Sequence, residues 1–177
     1  ASLTVEADED QDALLLALSD DDVDTVTFTG DSNIILSATA AVTVAETVFI
    51  SNAGDFDTTD SGAFAADTNI TLHTDNEDVD LDLAAGTSQT ITFGSTLDTG
   101  DVVTITGFNG GNGVAADTLD LSALGIESTA DLTFTDTDAD LDGTDDTLTI
   151  TSADFDGSIV LVATVTADII ASNFDFA

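Results

Sequence analysis

VDTVTFTGDSNIILSATAAVTVAETVFI, Val23 to Ile50, decides how the chain folds. In VDTVTFTG a Thr or Asp alternates with an apolar residue at period two. The alternation returns in AVTVAETVFI, and the apolar run NIILS sits between them. Gly30, Asp31, Ser32 and Asn33 interrupt it as turn residues do. Working outward, the same rhythm continues through TNITLHT, DVDLDLA, SQTITFG, DVVTITG, DTLDLSAL, ADLTFTD, DTLTITS and SIVLVATV. Short strands at regular spacing, parted by Gly, Asn, Asp and Ser, predict an all-β chain. Several strands are separated by only a few residues, a rhythm that suits stacked coils. We therefore expect a parallel β-solenoid of the β-helix or β-roll kind, with an antiparallel β-sandwich as the alternative. No exact fixed period emerges. The abundance of Thr and the absence of proline agree with uninterrupted ladders, because proline removes a ladder donor.

Upstream, DQDALLLALSD (Asp10 to Asp20) sets Ala13, Leu14, Leu16, Ala17 and Leu18 at helical spacing behind acidic first-turn residues. This predicts the one helix of the chain, at residues 10–20, as a cap over the open end of the first coil.

The 177 residues include 36 acids, one His and neither Lys nor Arg, giving a formal net charge of −36. No side-chain cation offsets this self-repulsion, so neutralisation has to come from outside the chain, as metal or as salt. Such a surface argues against nucleic acid and anionic membranes as partners. With 42% hydrophobic residues and a mean hydropathy of +0.24, the chain has the means to build a core. No apolar run comes near the length of about 18 residues that marks a spanning helix, so no membrane insertion is expected. Cysteine is absent, which leaves metal as the staple for a secreted chain. ASLTVEADED lacks the basic and apolar regions of a secretory signal: either a signal has been removed or export does not use one.

Only five acids are Glu (Glu6, Glu9, Glu46, Glu77, Glu127), and the rest are Asp, whose short side chain suits turns and metal loops. The strongest metal candidate is DTDADLDGTDD, Asp136 to Asp146. Asp138, Asp140 and Asp142 alternate, Gly143 follows at once, and Asp145 and Asp146 add two carboxylates. Ca²⁺ takes six to eight oxygen ligands and needs a backbone that turns sharply, and DxDxDG supplies both. Counting from Asp138, position 12 is Thr149 where an EF-hand has Glu, and TLTIT has strand character, so this is not an EF-hand. Further candidates are Asp55, Asp57 and Asp60 in GDFDTTDSG, the loop at Asp75, Glu77 and Asp78, and the turn at Asp98 and Asp101; each reads equally well as a polar turn.

The segment DVVTITGFNGGNGVAADTLDLSALGI (Asp101 to Ile126) and the terminus TSADFDGSIVLVATVTADIIASNFDFA resemble the C-terminal region of RTX-type proteins exported by type I secretion, such as the non-catalytic end of the serralysin proteases. The similarity covers residues 98–177 and is most specific in TLDLSAL (Thr118 to Leu124) and ADIIASNFDF. Where that family has GGxGxD repeats, this chain has GFNGGNG (Gly107 to Gly113). The resemblance implies a calcium-binding C-terminal part at 98–177 with an uncleaved export signal at its end. It implies equally a chain starting at Ala1 as the intact product, exported unfolded and folded outside by calcium. The N-terminal part, 1–97, would then be the coil stack with its cap, the two parts being compatible with one continuous domain.

Catalytic chemistry is sparse. Without Cys, Lys, Arg or Tyr, most nucleophiles and proton donors are missing, and His73 reads as a solvent-facing strand residue beside Thr71. GFNGGNG lacks the Lys and helix of a phosphate loop and reads as a tight turn. We expect no enzyme. The expectation is a secreted, calcium-dependent structural protein at the cell surface or in the matrix. It would self-assemble into a filament, fibre or surface layer through strand addition and calcium bridging. A monomeric calcium-dependent adhesin or ice- or glycan-binding module is the alternative, and a secretion tail from a larger enzyme the third.

Overall fold

The computed structural model describes residues 1–7, 11–14, 23–36, 47–58, 64, 67–73, 78–83, 87–94 and 97–176. The strands are, in chain order, β1 (Ser2–Ala7), β2 (Gln11–Leu14), β3 (Thr25–Gly30), β4 (Ile34–Leu36), β5 (Thr47–Asn52), β6 (Phe56–Thr58), β7 (Asn69–Leu72) and β8 (Asp78–Asp82). They continue with β9 (Thr90–Phe93), β10 (Val102–Thr106), β11 (Thr118–Asp120), β12 (Leu132–Thr137), β13 (Thr147–Ser152), β14 (Ser158–Val162) and β15 (Phe174–Asp175).

Up to β11 the chain alternates between two sheets. The first has the order β1-β3-β5-β7-β9-β11-β15, and the second β2-β4-β6-β8-β10-β14-β13-β12. Every pair in the first sheet is parallel, as is every pair of the second from β2 to β14. Antiparallel pairing, expected throughout the alternative sandwich, is confined to β12, β13 and β14. In the first sheet Thr25 pairs with Thr47, Thr47 with Asn69, Asn69 with Thr90 and Thr90 with Thr118. The first three of these steps are equal to within one residue and only the last is much longer, so the strands recur at a near-constant interval that the differing turn residues do not mark in the sequence.

Alternation along each strand separates core from surface. Val26, Val48, Ile70, Ile91 and Leu119 stand in register in the first sheet, Ile34, Phe56, Val79, Val103 and Ile159 in the second, all buried in one continuous core. Phe28 and Phe56, with ring centroids 5.2 Å apart, meet across it. Thr58, in register with Leu36, takes an inward position. Its hydroxyl donates to Asp80 O (3.3 Å) and accepts from Asp82 N (2.7 Å), which offsets the cost of its burial.

The helix expected at 10–20 is not formed at its start: Gln11–Leu14 is strand β2, paired with β4 through an irregular register. The edge of β4 offers this segment backbone partners, and tertiary pairing overrides a helical spacing of apolar residues. Residues 15–20 lie outside the described residues. Among the described residues no helix is long and apolar enough to cross a membrane.

Both sheets run across residue 97, since β10 pairs with β8 and β11 with β9. The C-terminal segment is tied back by two buried polar side chains. Asn173 Oδ1 accepts from Gly111 N and Ile170 N (3.0 Å each), and its Nδ2 donates to Gly111 O (3.1 Å) and Asp117 O (3.0 Å). Asp117 accepts from Gln89 N (2.8 Å) and Asn109 N (2.7 Å), holding GFNGGNG against the first sheet. Replacing Asp117 by Asn leaves one of those two buried N–H groups facing a second donor. Asp117→Asn is therefore expected to lower stability by about 1–3 kcal/mol although it removes a buried charge, as read by chemical denaturation followed by circular dichroism.

Candidate metal centre

The strands β12 and β13 pair from Leu132↔Ser152 to Thr137↔Thr147, so residues 138–146 form the hairpin loop between them. Leu141 (φ 63°) and Gly143 (φ 94°) both adopt left-handed backbone, and between them they reverse the chain. This folding back brings Asp138, Asp140 and Asp142 together: one carboxylate oxygen from each lies within 4.8 Å of the others. Oxygens that share one Ca²⁺ at about 2.3–2.6 Å are separated by no more than about 5 Å, so the spacing accommodates a single ion.

Backbone donors fix the carboxylates. Gly143 N donates to Asp138 Oδ2 (2.7 Å), and Asp142 N to both Asp138 Oδ1 and Asp140 Oδ1 (3.0 Å each). Thr144 N donates to Asp142 Oδ1 (2.8 Å). Such bonds preorganise the oxygens and offset part of their mutual repulsion. The donor set is three hard oxygens with no nitrogen or sulfur, which suits Ca²⁺ or Mg²⁺ rather than a soft transition metal. The loop can hold a metal ion, with most of the coordination sphere left to backbone carbonyls, water or another molecule.

The other acids of this stretch are not part of that cluster. Asp146 accepts from Ala139 N (3.1 Å) and the Thr147 hydroxyl (3.0 Å), closing the base of the loop. Asp136 accepts from Thr166 N (2.8 Å) and its hydroxyl (2.9 Å), pinning the turn at Thr166–Asp168. Asp145 is exposed.

The remaining candidates do not converge into such a cluster among the described residues. Asp55 forms a reciprocal pair with Asn33, accepting from Nδ2 (3.0 Å) and donating its N–H to Oδ1 (3.0 Å). Asp101 accepts from Asp98 N (2.8 Å), closing a turn. Asp78 accepts from Val102 N (3.1 Å). Asp60, Asp75 and Glu77 lie outside the described residues. Asp57 stands beside Asp80 in register on the outer face of the second sheet. With Asp82, Thr104 and Thr106 they line an open concavity. Burial, and then the Asp80 charge, raise the Asp57 pKa.

Asp117 and Asn173 are the polar residues that sequence reasoning missed. Burial raises the Asp117 pKa, against which the N–H groups of Asn109 and Gln89 pull it down. A carboxylate just before a strand and just after a Gly-rich loop was the available signal. His73 is exposed, as the alternation in TNITLHT predicts, and its ring lies 6.3 Å from that of Phe49.

No family model, curated protein or solved structure matches the chain.

Two outcomes are expected. Asp138→Asn removes one of three converging charges and lowers Ca²⁺ affinity by at least about tenfold in titration calorimetry. For Asp57 the folded-state pKa lies above the unfolded value. The folded protein therefore gains stability as pH falls through the raised pKa toward 3.8 and loses it as pH rises. Asp57→Asn removes that part of the slope and raises the melting temperature at neutral pH in chelator, by a few degrees at most because the group is partly exposed.

Proposed function

We propose that this chain is an extracellular structural protein that folds as a parallel β-solenoid, binds Ca²⁺ and assembles with copies of itself. The convergence of Asp138, Asp140 and Asp142 on one hairpin loop carries the reading. It occurs in a chain of net charge −36 without one Lys or Arg, for which a divalent cation is the natural counterion. The solenoid reading is supported by the strands that alternate between two sheets and pair in parallel with the strand two places on. Each return to the first sheet would then be one coil, and the antiparallel excursion at β12 and β13 an insertion into the last one.

Assembly by strand addition is supported by β1. It pairs over its whole length with β3, and among the described residues it has a partner on one side only. Its sequence, SLTVEA, has none of the Lys, Pro or bulges that blunt an edge. The acidic outer face of the second sheet and the half-open metal loop give calcium places to bridge molecules. Export by type I secretion, with calcium as the trigger for folding outside the cell, rests on the resemblance of residues 98–177 to RTX-type C-termini.

A monomeric surface-binding module is the second reading, favoured by the uncharged Thr columns on the first sheet. Electron microscopy and circular dichroism before and after chelation and calcium return separate the two. Ordered fibres or sheets that appear with the β-signal on calcium addition and dissolve in chelator are expected. Folding that ignores calcium, or particles that stay single in calcium at high concentration, would refute the assembly reading.

A further inference from the structure

The Gly-rich turn between β10 and β11 holds two Asn-Gly pairs, Asn109–Gly110 and Asn112–Gly113, and two Asp-Gly pairs follow, Asp142–Gly143 and Asp156–Gly157. In such pairs the glycine N–H can attack the side-chain carbon of the residue before it, because glycine has no Cβ to hinder closure of a five-membered ring. The fold treats the four pairs differently. Gly143 N is engaged by Asp138 Oδ2 (2.7 Å) and Gly157 N by Leu97 O (3.2 Å). Asn109 is held at three atoms. Its N–H donates to Asp117 Oδ2 (2.7 Å), its carbonyl accepts from Asp117 N (2.9 Å), and its Nδ2 donates to Ala115 O. Gly110 packs so closely on the Asp168 carbonyl that a Cβ there would overlap it. Asn112, Gly113 and Val114, by contrast, are exposed, and among the described residues no hydrogen bond engages the Asn112 side chain or the Gly113 N–H. Around Gly113 there is open space, the nearest atom to a Cβ built there being Ala115 N at 3.9 Å.

We propose that Asn112 is a site of spontaneous deamidation, and that the fold confines the reaction to it while sparing Asn109. Gly113 N gives its proton to solvent base and bonds to Asn112 Cγ. The Cγ–Nδ2 bond breaks, and the amide nitrogen takes a proton from water and leaves as ammonia. Water then opens the cyclic imide. Opening at Cγ leaves aspartate at position 112, and opening at the main-chain carbonyl leaves isoaspartate, whose backbone is one methylene longer. Nothing is oxidised or reduced: NH is exchanged for O, and the new carboxyl ionises. Intramolecular attack requires the reacting atoms to meet at about 3–3.5 Å, an arrangement open to a residue whose side chain and following N–H are free. At Asn109 it would first have to break the bond from Nδ2 to Ala115 O and turn a residue tied at both main-chain groups to Asp117. Those same ties contain the damage. Gly111 is held at its N–H (3.0 Å) and carbonyl (3.1 Å) by Asn173, and the Ala115 carbonyl by Asn109, so the change stays between them and leaves β10 and β11 in place.

To test this, the whole chain is aged in calcium in mildly alkaline buffer, once folded and once in concentrated urea, and then cut before Asp. The cut releases residues 101–116, which carry both asparagines on one peptide whose fragment masses locate the exchange. In urea the two sites react at rates within about threefold of each other, since each precedes glycine. In the folded chain Asn112 stays within about fivefold of its urea rate, whereas Asn109 slows by at least about tenfold. Gly113→Ala, which the space around that residue admits, slows the reaction at 112 by at least about tenfold because a Cβ hinders the ring. The aged protein keeps its circular dichroism signal and its midpoint of unfolding in urea. Equal rates at 109 and 112 in the folded chain, or slowing of both alike, overturn the proposal, as does a reaction at 112 that Gly113→Ala leaves unchanged. Loss of the β-signal in step with reaction at 112 overturns its confinement to the turn. None of these outcomes depends on calcium bridging or on copies associating, so failure here leaves the assembly reading standing.

Discussion

Burial of alternate apolar side chains between two parallel sheets is the interaction on which everything else in this molecule depends. A chain of net charge −36 has no Lys or Arg with which to build ion pairs, and its acids favour expansion. Opposing that is one continuous core, running from Ala7 through Phe28, Phe56, Ile91 and Leu119 to Phe174, with most of its members sealed from water. Parallel pairing suits this, because each inward residue stacks on the inward residue of the next strand and the columns stay apolar. Where a polar residue enters a column, as Thr58 does, it takes hydrogen bonds from the neighbouring backbone.

Apart from Asp24, which pairs with the Ala1 α-amino group at 2.8 Å, the carboxylates are answered mainly by backbone N–H groups. Asp78 takes that of Val102, Asp101 that of Asp98, Asp131 that of Ser128, Asp136 that of Thr166, Asp138 that of Gly143, and Asp168 that of Val165. Asp117 does the same twice in the interior. Charge-assisted bonds of this kind are stronger than neutral ones. The local ones, at Asp101, Asp131, Asp138 and Asp168, suit Asp over Glu: the shorter side chain reaches its own turn without loss of extra rotamer freedom. The acids of this chain thus shape its corners as well as charging its surface.

The period-two strands were legible because the side-chain alternation that makes a sheet half-buried is written directly in the sequence, as TVTFTG, NITL and TITF show. The partnership of those strands was less so: the steps from Thr25 to Thr47, Asn69 and Thr90 are nearly even, but the turns between them share no motif and the step to Thr118 is longer, so the repeat does not show in the residues themselves. Gln11–Leu14 misled because apolar runs such as ALLLAL satisfy helical and extended templates alike, and only the neighbouring strand β4 decides between them. In the candidate metal centre, DxDxDG located the three converging aspartates. Their neighbours Asp136 and Asp146 share the same composition but lie where Thr166 and Ala139 reach them. Composition reveals how many carboxylates a stretch holds, while the path of the loop determines which of them come within reach of one another.

The placement of that loop follows from the topology. In the parallel part of the molecule the chain passes from one sheet to the other between successive strands, so these do not lie side by side. A compact loop whose ends are held a single strand spacing apart needs an antiparallel pair, and among the described residues β12–β13 and β13–β14 are the places where the chain makes one. The excursion takes up most of the chain between Leu119 and its partner Phe174. It nonetheless returns β14 to parallel pairing with β10, and β15 to β11, so neither sheet loses its register. The hairpin can thus change its sequence without disturbing the ladders on either side, and an ion held in its loop would leave the core between the sheets intact.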